Sequence, residues 1–120
     1  MEKPIISNDY WQKAFSLNPV LGEAISNPNT DFMTKLLFDA RFFQKKFGKE
    51  ITYWSSAIFA AKLILSEKGF SAKELAKKAK VPEKHMNEVL SYLKNMAEIE
   101  EKNGKFALNY ASPFSKMFKS

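Results

Sequence analysis

Three interruptions constrain this chain more than any other feature: Gly69, Val81-Pro82 and Asn103-Gly104. Glycine lets the backbone leave a helix, and the residue before a proline avoids the helical region. Asn-Gly suits a two-residue type I′ hairpin turn, because both central residues need positive φ. Together they cut the second half of the chain into segments that have room only for short helices and strands.

Between these breaks the apolar spacing is helical. Trp54, Ile58, Ala61 and Leu65 predict a helix over roughly residues 51–68, stopped by Gly69, with Phe70 as an extended link. Ser71 and Glu74 stand at capping-box spacing and open a helix with the inner face Ala72, Leu75, Ala76 and Ala79, ending near Lys80. After Val81-Pro82, the residues Met86, Val89, Leu90, Leu93 and Met96 recur at three-four spacing and predict a helix from Glu83 with one buried side. Ile99 before Asn103-Gly104, and alternating Phe106, Leu108 and Tyr110 after it, predict a two-stranded ribbon. Ser112-Pro113 then starts a short tail helix that packs Phe114, Met117 and Phe118.

The first half is richer in aromatics. Residues 1–7 read as a loose arm, and "NDYWQKAFSL" as a short helix capped by Asn8 or Asp9. Asn18-Pro19 and Asn27-Pro28 read as breaks, with "VLGEAIS" at most a brief helical turn between them. "NTDFMTKLLFDARFFQKKFG" is a strong helix, capped by Asn29 or Thr30 and ended by Gly48. Its core stripe is Phe32, Met33, Leu36, Leu37, Ala40, Phe43 and Phe47. Phe38 and Phe42 fall off that stripe, and a helix apolar on two sides is packed inside a domain or forms a dimer seam.

Charge narrows the choice of partners. The net charge of +6 is uneven: residues 1–50 carry seven basic and six acidic side chains, and residues 51–120 carry twelve and seven. A positive half implies an anionic partner or serves solubility. All the basic residues but Arg41 are lysine, which suits phosphate contact better than bidentate reading of guanine. The chain has no Cys, so disulfides, thiolate nucleophiles and thiolate metal sites are excluded. "AIFAAKLIL" is interrupted by Lys62 and is far short of a membrane span, and the N-terminus has no signal-peptide run. The expected protein is soluble and cytoplasmic.

The order over residues 51–110 is helix, link, helix, turn, helix, hairpin, the winged helix-turn-helix layout. The segment "FSAKELAKKAKVPEKHMNEVLSYLKNMAEIEEKNGKFALN" resembles the reader domain of winged-helix transcription regulators of the arsenic-repressor and iron-sulfur-linked types. Leu75-Ala76 match the "LA" of the supporting helix, and Val81-Pro82 the turn. Met86, Val89, Leu90 and Leu93 match the buried side of the recognition helix, Ile99 the strand entering the wing, and Asn103-Gly104 its tip. Those regulators usually carry Gly where this chain has Ala97. The Gly-rich wing and cluster-binding Cys of the iron-sulfur type are missing, so a cluster or thiol sensor is not expected. The segment is also similar to the N-terminal dimerisation domain of small-molecule O-methyltransferases, in which the winged helix binds no DNA. No G-x-G-x-G-like cofactor loop is present, so a complete methyltransferase is not expected.

The DNA reading names its residues. Lys73, Lys77, Lys80 and Lys84 run at i, i+4, i+7 and i+11, with Lys78 beside them, and would track one phosphate strand. Lys102 and Lys105 flank the wing tip. Asn87, His85 and Ser91 offer base contacts from the third helix of the module, whose N-terminal residues lead into the major groove. Six or seven such lysines imply a log–log salt slope of roughly −5 to −6. Glu83 and Glu88 on the same helix favour the alternative, a protein-interaction or dimerisation module without DNA binding.

Catalysis is the least supported class. His85 is the only His, Asp31 and Asp39 are eight residues apart on one helix, and no metal or cofactor is expected. Trp11, Trp54 and the Phe-rich helix could line an effector pocket, with core packing the stronger expectation. The sequence therefore predicts a mostly α winged helix-turn-helix protein. Residues 1–50 form a helical extension that dimerises, 51–110 the winged-helix module with its short two-stranded wing, and 111–120 a tail helix. Its expected partners are double-stranded DNA and a second copy of itself, with half-sites about one helical turn apart.

Overall fold

The computed structural model describes residues 6–119. Within them lie seven helices and one two-stranded antiparallel sheet, a mostly α architecture. They form two compact units that divide within helix α4, between Phe59 and Ala60.

The first unit holds α1 (Asn8–Leu17), α2 (Pro19–Ser26), α3 (Asp31–Phe47) and the start of α4 (Ile51–Leu65). Of the arm expected over residues 1–7, residues 1–5 lie outside the described range. Ile6 is buried, and the Ser7 N–H donates to Ser56 Oγ at 2.8 Å, so the end of the arm is anchored. Ser7, not Asn8 or Asp9, precedes the first turn of α1, and its side chain makes no capping bond.

The brief turn expected over "VLGEAIS" is an eight-residue helix. Asn18-Pro19 is a break that also starts a helix: Pro19 sits where no backbone N–H is needed, and Asn18 Oδ1 accepts from the Val20 N–H. Gly22 lets α2 lie against α1, since a Cβ there would stand 2.4 Å from the Phe15 ring.

Helix α3 is capped by Thr30, whose Oγ1 accepts from the Met33 N–H at 3.2 Å. Its buried face is Phe32, Met33, Leu36, Asp39, Ala40 and Phe43. Two members of the expected stripe leave the core: Leu37 is half-buried and Phe47 is exposed. Buried Asp39 is paired with Lys35 one turn earlier, at 2.6 Å. Phe43 stacks on Trp54 at 5.0 Å between ring centroids, and Trp54 Nε1 donates to the Gly48 carbonyl at 2.6 Å. One side chain thus fills the core and satisfies the end of α3.

The second unit holds the rest of α4, α5 (Ala72–Ala79), α6 (Glu83–Asn95), β1 (Ile99–Lys102), β2 (Lys105–Leu108) and α7 (Pro113–Lys116). Both halves of the Ser71–Glu74 capping box form. Helix α5 ends with Lys80 in the left-handed region at φ 57°, the Val81 N–H bonding back to the Ala76 carbonyl and the Lys80 N–H to that of Lys77. Helix α6 ends in the same Schellman pattern on Ala97 at φ 60°, with Glu98 N–H to Leu93 carbonyl and Ala97 N–H to Lys94 carbonyl. Asn109 secures this turn: its Nδ2 donates to the Ala97 carbonyl at 2.9 Å, and its backbone N–H to that of Glu98 at 3.1 Å.

An alanine in the left-handed region is strained by roughly 1–2 kcal/mol. Ala97→Gly relieves that strain and loses part of the gain to a more flexible unfolded chain. The variant should be more stable by about 0.5–1 kcal/mol in urea unfolding. A loss of stability would mean that the Ala97 methyl contributes packing that outweighs the strain.

The expected hairpin forms, with Ile99 opposite Leu108 and Lys102 opposite Lys105, around Asn103 at φ 56° and Gly104 at φ 77°. Lys102 and Lys105 flank the two-residue turn as a hydrogen-bonded pair, so Phe106 turns its N–H and carbonyl outward. Phe70 takes both: Phe106 N–H bonds the Phe70 carbonyl at 2.7 Å, and Phe70 N–H the Phe106 carbonyl at 3.1 Å. The link between α4 and α5 therefore adds a third, one-residue rung to the sheet. The core of this unit is Leu75, Met86, Val89, Leu90, Leu93, Ile99, Leu108 and Phe118.

Lys62 lies in that core. It is 3% exposed, forms an ion pair with Glu98 at 2% exposure, and donates to the Phe114 carbonyl at 2.9 Å. Ser115 Oγ donates to the Glu98 carbonyl at 2.6 Å. Helix α4, the turn after α6 and the start of α7 thus meet at one charged knot.

Candidate nucleic-acid interface

Helix α5, the 80–82 turn, α6 and the hairpin carry every site residue that the sequence singles out. At about 100° per residue, the buried side of α5 is Leu75, Ala76 and Ala79, which leaves two exposed flanks. Lys73 and Lys77 share one, and Glu74 and Lys78 the other. The expected lysine row is therefore split. Lys78 turns toward the sheet, its Nζ 5.0 Å from the centre of the Phe70 ring, where Lys68 Nζ also lies at 5.3 Å. Lys80 is left-handed, so the turn and not helical periodicity sets its direction, and the line from Lys73 to Lys84 is not one helix face.

The buried side of α6 is Met86, Val89, Leu90 and Leu93. Opposite it Lys84, Asn87, Glu88, Ser91 and Asn95 form one exposed stripe. The structure places Asn87 and Ser91 on one stripe with Lys84, and adds Asn95. His85 is not among them: it is half-buried on a flank with Tyr92. No hydrogen bond or ion pair within the described chain engages the side chains of Lys84, Asn87, Ser91 and Asn95, nor those of Lys73, Lys77, Lys80 and Lys102.

On the hairpin, Lys102 and Lys105 are cross-strand neighbours on the face opposite Ile99 and Leu108. The ring of charge here includes carboxylates. Lys94 Nζ pairs with Glu101 at 2.9 Å in an exposed bridge, and Glu74 lies in the field of Lys105 and Lys68. The Ser71 backbone N–H, 3.0 Å from the Glu74 carboxylate, holds its pKa below the ordinary value; the Ser71 hydroxyl and then the two lysines add to this.

Because Glu74 titrates lower when folded, its contribution to stability is complete above the ordinary unfolded value and is lost as pH falls through the folded value. Glu74→Gln should therefore flatten part of the acid limb of the stability–pH curve. An unchanged acid limb would place the titration elsewhere.

Sequence reasoning missed Lys68, Glu74, Asn95 and Glu101 as members of this surface. The capping box had marked Glu74 as a local structural residue, and only the fold brings Lys105 to it.

Among the described residues no group of three or more His, Cys, Asp or Glu side chains could hold a metal ion, and no helix is long and apolar enough to cross a membrane. Comparison with known protein families, curated proteins and solved structures finds no match to this chain.

Proposed function

We propose that this chain is a DNA-binding winged helix-turn-helix protein, a transcriptional regulator that enters the major groove with α6. The observation that carries the reading is the α6 stripe. Lys84, Asn87, Ser91 and Asn95 stand side by side and exposed, with no partner in the described chain, on a helix braced by α5 through a tight turn. The Phe70–Phe106 rung supports the same reading, since it gives the hairpin the third short strand of a wing.

In this arrangement the N-terminal end of α6 leads into the groove. Asn87 offers its amide to adenine, Ser91 and Asn95 serve neighbouring base edges or waters, and Lys84 meets a phosphate. Lys73 and Lys77 hold one phosphate strand from their flank of α5, and Lys102 reaches a neighbouring strand from the hairpin. Lys78 and Lys105 contribute less: the Lys78 ammonium lies over the Phe70 ring, and Lys105 is in the field of the Glu74 carboxylate. With Lys73, Lys77, Lys80, Lys84 and Lys102 as contacts, duplex affinity should fall with salt at a log–log slope of about −4 to −5.

A second reading is favoured by Glu88 in the middle of that stripe and by the Lys94–Glu101 bridge beside it. In it, α6 docks on a protein. Mobility shifts on random and genomic duplexes across a salt series separate the two. Binding with the stated slope supports the DNA reading, and no shift at low salt with any duplex leaves the protein partner.

A further inference from the structure

Helix α3 has a second face that stays largely in solvent, with Lys46 Nζ 5.8 Å from the centre of the Phe42 ring. Asp31, Phe38, Phe42 and Lys45 fall on one stripe of it, opposite Phe32, Met33, Leu36, Ala40 and Phe43. Phe38 is 65% exposed and Phe42 43%, the former among the largest apolar exposures of the described chain. Two phenylalanines one turn apart on a long helix are costly to leave in water.

The ends of the stripe indicate what covers it. Asp31 stands in the first turn, where the helix dipole is positive, and Lys45 and Lys46 stand in the last, where it is negative. A second α3 laid parallel would bring like ends together. Laid antiparallel, it would set the basic last turn of one copy beside Asp31 of the other, with opposed dipoles. Phe38 and Phe42 lie equally far along the helix either side of the level of residue 40, so a two-fold axis at that level exchanges them and brings Asp31 of one copy level with the end of the other α3, just past Lys45 and Lys46. Such self-complementarity is what a two-fold dimer requires.

We propose that the exposed face of α3 is a homodimer seam on which a second copy of this chain packs antiparallel, Phe38 of each copy against Phe42 of the other. The proposal stands on the first unit alone and does not depend on DNA binding. Standard stable interfaces bury about 800 Å² per partner, more than two side chains provide, so the dimer is expected to form in the micromolar range.

The chain has no Cys, so introduced thiols report unambiguously. Sedimentation over a concentration series should show monomer passing to dimer, and Phe38→Lys should weaken the dimer at least about tenfold. Phe38 is exposed, and unchanged helical circular dichroism would establish that the variant is folded.

Orientation is read from single variants. Thr34→Cys mixed with Lys45→Cys should cross-link in preference to either alone, because these residues are about three turns apart on the exposed side and meet only in the antiparallel pair. A wild-type chain that stays monomeric, a Phe38→Lys variant that dimerises normally, or a Thr34→Cys chain that cross-links to itself each overturns the seam. Binding to lipid vesicles or another protein with no self-association overturns it as well.

Discussion

Lys62→Met should cost the second unit about 3–5 kcal/mol, the typical loss when one member of a buried ion pair is removed. The lysine carbon stem is replaced at similar volume, so packing is nearly conserved. What changes is that the Glu98 carboxylate, 2% exposed, is left in the core without the ammonium that neutralises it. The Phe114 carbonyl loses the Lys62 hydrogen bond in the same step. Urea unfolding followed by circular dichroism measures the effect.

The informative comparison is Lys62→Met with Glu98→Met. Removing both charges removes both desolvation costs, so the double variant should return to within about 1–2 kcal/mol of the parent. A single variant that loses less than about 1 kcal/mol would show that solvent or a rearranged side chain reaches the pair.

The second large effect concerns the proposed DNA surface. Lys73→Glu with Lys77→Glu should lower duplex affinity about a hundredfold or more near 0.1 M salt, and make the log–log salt slope shallower by about two. Both residues are exposed on one flank of α5 and make no ion pair within the described chain, so their reversal should leave the fold intact. The loss should be nearly the same for every duplex sequence, because phosphate contacts position without reading bases. Lys13→Glu with Lys116→Glu changes net charge equally at positions outside the proposed surface. If that pair weakens binding as much, overall charge and not this flank is responsible. If Lys73→Glu with Lys77→Glu leaves affinity unchanged, the DNA reading fails.

How much of this was legible beforehand depends on the range of the interaction concerned. The capping box at Ser71, the Asn103-Gly104 turn and the buried side of α6 as far as Leu93 are local patterns, and each stands where its spacing places it; Met96, the last residue of that expected side, is exposed because it lies past the end of the helix. Where local signals compete, reading faltered. Asn18-Pro19 was a break to the eye and a helix start in fact, since Pro suits both roles. Phe47 matched the α3 stripe but is the last residue of the helix: its ring packs on Phe43 and Trp54 and keeps one side in solvent.

Long-range pairings left no trace in spacing. Lys62 read as a flaw in an apolar run, and only Glu98, brought to it by the α6 turn, explains its burial. The expected row of lysines depended on a turn whose direction is set by left-handed Lys80, a conformation that lysine rarely adopts. The same holds for Lys78, whose ammonium lies over the Phe70 ring, and for Lys105, which is in the field of the Glu74 carboxylate.

By itself, then, the order of residues determined the helices, the hairpin and which side of each is apolar, because these follow from backbone sterics and the period of the chain. The tertiary structure alone decided which charges are neutralised, which polar groups remain open on α6, and that Phe38 and Phe42 stay exposed. Those outcomes depend on groups far apart in the chain meeting in space, and Coulomb and packing energies act on distance in space, not on position in sequence.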